Sequence, residues 1–221
     1  MLFESNYKLM ILKRLFLFTL LTIFSFLKSS AQNQKKYIYY LHGRIIEVQG
    51  KNAVSNVYGK YEFDNIIKAL NNKTDSIIAV IRNNNVDHIE YAKKVSKQIN
   101  RLVEKGVKPN NITVIGASKG AIIASYVATI NKNYINYVLL AGNNNYQENN
   151  RNWKFHGQVL CIYEISDTIA GKNYDYWQNK ENLTTKFEQI ALKTNLGHGF
   201  LYKPINAWLK PTKKWIKNQK I

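Results

Sequence analysis

Apolar residues along the chain fall into two alternating rhythms. Short β-branched and aromatic runs, each ending in a turn residue, predict strands over Tyr37 to His42, Ser76 to Ile81, Ile112 to Ala117, Tyr137 to Ala141, Gln158 to Tyr163 and Phe187 to Leu192. Between them the period lengthens. Phe63, Ile66, Ile67 and Leu70 stand at helical spacing in Tyr61 to Leu70. Asp87 to Lys105 aligns Ile89, Ala92, Val95, Ile99 and Leu102 on one side, with Gly106 just beyond its end. Ala121 to Ile130 and Ile205 to Lys217, the latter presenting Trp208, Leu209 and Trp215, complete the helices. The run S-I-I-A-V-I at Ser76 to Ile81 suits a strand buried on both faces. Arg44 to Lys60, with Gly50 and Gly59 and no clear period, reads as a long loop, as do the Asn-rich Gly142 to His156 and the mixed Glu164 to Asn182. Strands alternating with helices predict an α/β fold: three layers, doubly wound around a mostly parallel sheet of about six strands, with no internal repeat and no second domain.

The first residues follow a different pattern. Lys8, Lys13 and Arg14 precede an apolar run from Leu15 to Leu27, and Ser29-Ser30-Ala31 supplies the small residues of a cleavage site. Residues 1–31 are therefore expected to be a signal peptide, cut after Ala31, with Met10 as an alternative start and the folded domain over 32–221. The apolar run falls short of the ~20 residues that span a bilayer, so no stable membrane anchor is expected after cleavage, and the expected destination is periplasmic or secreted. The only cysteine, Cys161, lies in an apolar run and reads as an inert core thiol.

Net charge is +18, and +15 once the leader's four basic residues and Glu4 are removed. Lysine and arginine are scattered over several helices, not gathered in one tract, so a general affinity for polyanions is expected and a specific nucleic-acid site is not. Nothing in the pattern calls for a metal or a cofactor.

The chemistry centres on I-T-V-I-G-A-S-K-G-A, Ile112 to Ala121. A strand runs into Gly116-Ala117-Ser118-Lys119-Gly120 and a helix follows at once. A serine lifted onto so sharp a turn needs neighbours without side chains two positions either side, and Gly116 and Gly120 meet that need. The pentapeptide alone is weak evidence. Three other expected strand ends carry reactive groups, however: His42-Gly43-Arg44, Asp167 and His198. In a doubly wound sheet such ends converge on one crevice.

With these four features in the order nucleophile, acid, histidine, the chain resembles the α/β-hydrolase family over essentially all of the mature region, as a reduced, capless version. The resemblance implies roles. Ser118 is the nucleophile, His198 the general base and acid, and Asp167 the group that orients the imidazole. Backbone amides of Lys119 and of Gly43 or Arg44 form the oxyanion hole, with the Lys119 charge incidental. Glu164 and Asp175 compete with Asp167 for the orienting role, while His42, His88 and His156 are weaker candidates than His198. His42 is expected to be structural, His88 to begin a helix far from the late part of the chain, and His156 to sit at the wrong end of its strand. Arg44, Arg82, Tyr174, Tyr176 and Trp177 lie in loops expected to border the substrate, and an arginine there could bind an anionic group on it.

The expected function is that of an exported serine hydrolase, acting through an acyl-enzyme on a small or medium acyl ester. The alternative is a catalytically silent relative that binds a ligand or an anionic surface.

Overall fold

A computed structural model describes residues 35–221. The leader expected at 1–31 lies outside the described residues.

Six strands form one sheet in the order β4-β1-β5-β6-β7-β8, every neighbouring pair parallel. They are β1 (Tyr37–Leu41), β4 (Ser76–Ile78), β5 (Ile112–Ala117), β6 (Asn136–Leu140), β7 (His156–Glu164) and β8 (Leu183–Leu192). Alternate residues of each strand point to opposite faces. Tyr39, Leu41, Val114, Tyr137, Leu139 and Val159 face one buried cluster, and Ile38, Tyr40, Ile115, Val138, Leu140 and Leu160 the other. The first cluster is covered by α3 (His88–Glu104), through Ala92, Val95 and Ile99, and by α4 (Lys119–Ile130). On the second face lie α2 (Phe63–Leu70), through Phe63, Ile66 and Leu70, and α7 (Asn206–Ile216), through Trp208, Leu209 and Trp215. Burying both faces is why the strands read as continuous apolar runs. Asp87 caps α3, its carboxylate accepting from the amides of Ile89 and Glu90.

Several expectations need correction. The run at Ser76 to Ile81 is not buried on both faces. Only Ser76–Ile78 pairs, with β1 alone, because β4 is a sheet edge, and the chain then leaves with Val80 and Ile81 exposed. The stretch Arg44 to Lys60 is not a plain loop. It holds a short helix, α1 (Arg44–Gln49), bracketed by Gly43 and Gly50, and a two-stranded hairpin of β2 (Val54–Ser55) and β3 (Gly59–Lys60). The connections after β6 and β7 carry the short helices α5 (Asn145–Asn150) and α6 (Asp175–Gln178). Cys161 is fully buried, and burial pushes its thiol pKa well up, as suits an inert core residue.

Candidate active site

The sharpest backbone feature stands where β5 meets α4. Ser118 has φ 53° and ψ −119°, a left-handed-side conformation that costs a non-glycine residue energy and that surrounding packing must enforce. The serine amide still continues the sheet, donating to Leu140 O at 2.9 Å, while its carbonyl accepts from the Ala121 and Ile122 amides to start the helix. The glycines are dictated by contact. A Cβ on Gly116 would lie 2.3 Å from Gly120 O, and one on Gly120 would lie 1.8 Å from Leu41 O. The end of β1 and the start of α4 thus touch backbone to backbone, which sets Gly43 against the Ser118 side chain.

Ser118 Oγ lies 2.9 Å from His198 Nε2, and His198 Nδ1 lies 2.7 Å from Asp167 Oδ2. His198 belongs to a turn of 3₁₀ helix after β8 (Gly197–Leu201), and Asp167 to the loop after β7. The Asp167 carboxylate also accepts from the Ile169 and Ala170 amides. Burial works against its charge. The hydrogen bonds from His198 and these two amides outweigh burial and hold its pKa below the ordinary carboxylate value. An ionised carboxylate only accepts, so Nδ1 carries the imidazole proton and Nε2 is left bare to take the serine hydroxyl proton. Chemically, this chain can raise the nucleophilicity of one hydroxyl without a full-time charge on it.

Glu164, the rival orienter, does something else. Its carboxylate is fully buried and accepts from Thr194 N and Oγ1 at 2.8 and 2.6 Å and from Ser166 N and Oγ at 3.3 and 3.0 Å. Burial opposes its ionisation, and these four bonds prevail and lower its pKa. It clamps the loop of Asp167 to the loop of His198. Asp175, the other rival, bonds to Asn173 and Gln189 side chains and not to His198.

Three residues expected at the substrate border turn inward. Arg82 is 2% exposed, its Nε bonded to Glu47 at 2.7 Å and its Nη2 bonded to His42 O. Tyr174 is buried, its hydroxyl accepting from Gly142 N at 2.8 Å. Trp177 is buried, with Nε1 donating to Asn143 Oδ1 at 2.8 Å. These bonds hold the three side chains under the loops instead of over the site. Tyr176 is exposed on α6, and Arg44 is exposed at the start of α1.

The other histidines fall where their positions imply. His42 is fully buried. Burial first, then the Arg82 charge, pushes its pKa down to about 4, so the ring is neutral at pH 7. Its Nε2 accepts from Arg82 N at 3.0 Å, which leaves Nδ1 to donate to Gly43 O at 2.9 Å. His88 begins α3, and His156 opens β7 at the opposite end of the sheet, bonded to Ala128 O.

Two residues near the site have no signal in the hydrophobic pattern. Glu47 is buried between Arg82 and Lys119, whose Nζ lies 2.6 Å from Glu47 Oε2, so the Lys119 charge is not incidental. Tyr58, in the β2–β3 hairpin, packs its ring 6.4 Å from that of His198 and so close to Gly199 that a Cβ there would lie 2.8 Å from Tyr58 Cδ1. Gly43 and Gly50 around a six-residue stretch were the available hint of α1, and Gly59, at φ 75°, of the hairpin. Around the site the loops expose Val57, Ile165, Ile169 and Leu196. Among the described residues no cluster of three or more His, Cys, Asp or Glu side chains is placed to hold a metal ion.

No protein-family model matches the chain, and no curated protein matches it by sequence. Solved structures do. SOBER1 of Arabidopsis thaliana superposes with a TM-score of 0.55 at 15% identity, over 83% of this chain and 98% of that one. The esterase Pf2001 of Pyrococcus furiosus gives 0.56 at 14%, over 84% and 83%. A YdeN-like hydrolase of Pectobacterium atrosepticum gives 0.52 at 12%, over 84% and 92%. The chain has the α/β-hydrolase fold.

Proposed function

We propose that this protein is an exported serine hydrolase that cleaves small or medium acyl esters through an acyl-enzyme. The observation that carries the reading is the unbroken hydrogen-bond chain from Ser118 through His198 to Asp167, built on a strained elbow at the carboxyl end of a parallel sheet. In this mechanism Ser118 Oγ adds to the ester carbonyl carbon as its proton passes to His198 Nε2. Asp167 stabilises the imidazolium that results. The carbonyl π electrons move onto oxygen, which is met by main-chain N–H groups. Arg44 and Lys119 are the first residues of α1 and α4, so neither amide has an intrahelical acceptor. Collapse breaks the bond to the alcohol, which leaves with the proton from His198. Water then repeats the sequence on the acyl-serine, with His198 as base, and releases the acid.

Esters are put first because a structural neighbour of similar extent is an esterase. The exposed apolar side chains Ile165, Ile169 and Leu196, beside the reacting groups in sequence, would suit the acyl chain of any such substrate. Export rests on the leader pattern at 1–31, and N-terminal sequencing of the protein recovered outside the cytoplasm should begin at Gln32.

Short p-nitrophenyl esters test the activity. The wild-type protein should turn them over, and Ser118→Ala and His198→Ala should each lose about a thousandfold or more while remaining folded by circular dichroism. Folded wild-type protein without turnover of any acyl ester would favour a silent binding scaffold instead.

A further inference from the structure

The hydrolase reading uses Lys119 and the Gly43–Arg44 segment only through their main chains, yet both are held by one buried carboxylate. Glu47 sits one turn into α1 with its side chain 1% exposed, and it bonds Arg82 Nε at 2.7 Å and Lys119 Nζ at 2.6 Å. Lys119 Nζ also donates to Val86 O at 3.0 Å. From Arg82 the network continues to the loop after β1. Arg82 Nη2 donates to His42 O, and Arg82 N donates to His42 Nε2. His42 Nδ1 in turn donates to Gly43 O, which also accepts from Ile46 N at 3.3 Å.

A trans peptide is planar, with its C=O and N–H pointing in opposite directions. Anchoring the His42 carbonyl therefore sets the direction of the Gly43 N–H, and anchoring the Gly43 carbonyl sets that of the Arg44 N–H. Lys119, the third donor residue, is tied by its side chain to the same carboxylate. Burying one anion between two cations is costly, and replacing such a cluster by apolar residues is often neutral for stability. Its geometry here has a use beyond stability.

We infer that Glu47 is a positioning residue for transition-state stabilisation, cross-linking α1 to α4 so that the amides of Gly43 or Arg44 and of Lys119 converge on one oxygen. This rests on the serine-hydrolase reading. It assigns the carboxylate no contact with substrate. Loss of the link should weaken binding of a tetrahedral oxyanion and leave ground-state binding alone.

The test uses Glu47→Gln, which keeps the side-chain shape, and Lys119→Met, which cuts the link but leaves the Lys119 amide and the Glu47–Arg82 pair. Lys119→Met guards against failure of Glu47→Gln to fold. For each folded variant, kcat and KM for a p-nitrophenyl ester are measured beside the inhibition constant of an alkyl boronic acid. Ser118 Oγ adds to the boron while its proton passes to His198, and the tetrahedral adduct places a boron-bound oxygen among the amides. The expected result is a fall in kcat of about tenfold to a hundredfold with KM within about twofold, and boronate affinity weakened by a similar factor. Wild-type kcat and boronate affinity in the folded variants would overturn the inference, as would a loss confined to thermal stability or to KM. Labelling of wild-type Ser118 by a fluorophosphonate separates the two levels. If the wild type is labelled and active but the variants match it, only the role of Glu47 falls; if it is neither, the hydrolase reading falls and this inference with it.

Discussion

An alanine at position 120 would put its Cβ 1.8 Å from Leu41 O, 2.5 Å from Leu41 C and 2.8 Å from His42 O. All three atoms are backbone at the end of β1, so no side chain can swing aside. Reaching an ordinary non-bonded separation of about 3.5 Å from Leu41 O requires β1 and α4 to part by about 1.7 Å. Overpacking of this kind costs ~1–3 kcal/mol, and with rigid backbone on both sides the upper end applies. The same displacement carries the Gly43–Arg44 segment away from Ser118. A misplacement of about 1 Å among reacting groups can cost about a hundredfold in rate. Gly120→Ala should therefore lower the urea midpoint by the equivalent of ~3 kcal/mol and kcat for an ester by about a hundredfold. Gly106→Ala serves as the comparison. It has φ 86° and nothing within 4 Å of its Cβ position, so it should cost roughly 1 kcal/mol in backbone strain and leave kcat unchanged. A Gly120→Ala protein with the wild-type midpoint and a kcat within about threefold would refute the contact account of the elbow.

Further predictions concern charge. His42 takes a proton near pH 6.5 when unfolded but only near pH 4 when folded, so the unfolded state binds more protons between those values. Stability from this group is full above about pH 6.5 and falls by ~3 kcal/mol as pH drops to 4; urea midpoints should show this limb, and His42→Gln should flatten it. An unchanged slope in the variant would rule His42 out as its source. The depressed pKa values of Asp167 and Glu164 add a separate loss at lower pH, below their ordinary 3.8 and 4.5. Glu164→Gln leaves one amide NH₂ facing donors, so it should lower stability by ~1–3 kcal/mol and kcat by about tenfold as the Asp167 and His198 loops loosen. Wild-type values of both in that variant would show that the clamp is dispensable.

The sheet was legible because burial on both faces leaves a strong apolar signal, and α2 and α3, which cover it, carry apolar residues at helical spacing. Ser118, Asp167 and His198 were legible for a different reason: each follows a strand, and strand ends converge in a parallel sheet. Beyond that, pattern reading loses its grip where partners are set by tertiary contact. Arg82, Tyr174 and Trp177 fall in stretches that read as loops, where polarity suggests exposure, yet they bond inward to Glu47, Gly142 and Asn143, Trp177 from the short helix α6. Glu47 itself sits in a helix of six residues, too short to display a period, with only the flanking Gly43 and Gly50 to hint at it. The edge strand β4 was misjudged because an apolar run does not reveal whether a neighbour pairs on both sides. Glu164 shows the same limit: it directly follows the expected strand and closes β7, but two of its four donors come from Thr194, thirty residues on and unreadable from the local pattern.

The central claim is that Ser118 is an activated nucleophile, and covalent labelling tests it most directly. Folded protein is treated with a fluorophosphonate, digested, and the adduct mapped by mass spectrometry, in wild type, Ser118→Ala and His198→Ala. The account predicts one adduct, on Ser118, absent from the first variant and formed at least about a hundredfold more slowly in the second. Unlabelled wild type, or labelling that survives Ser118→Ala, would contradict it.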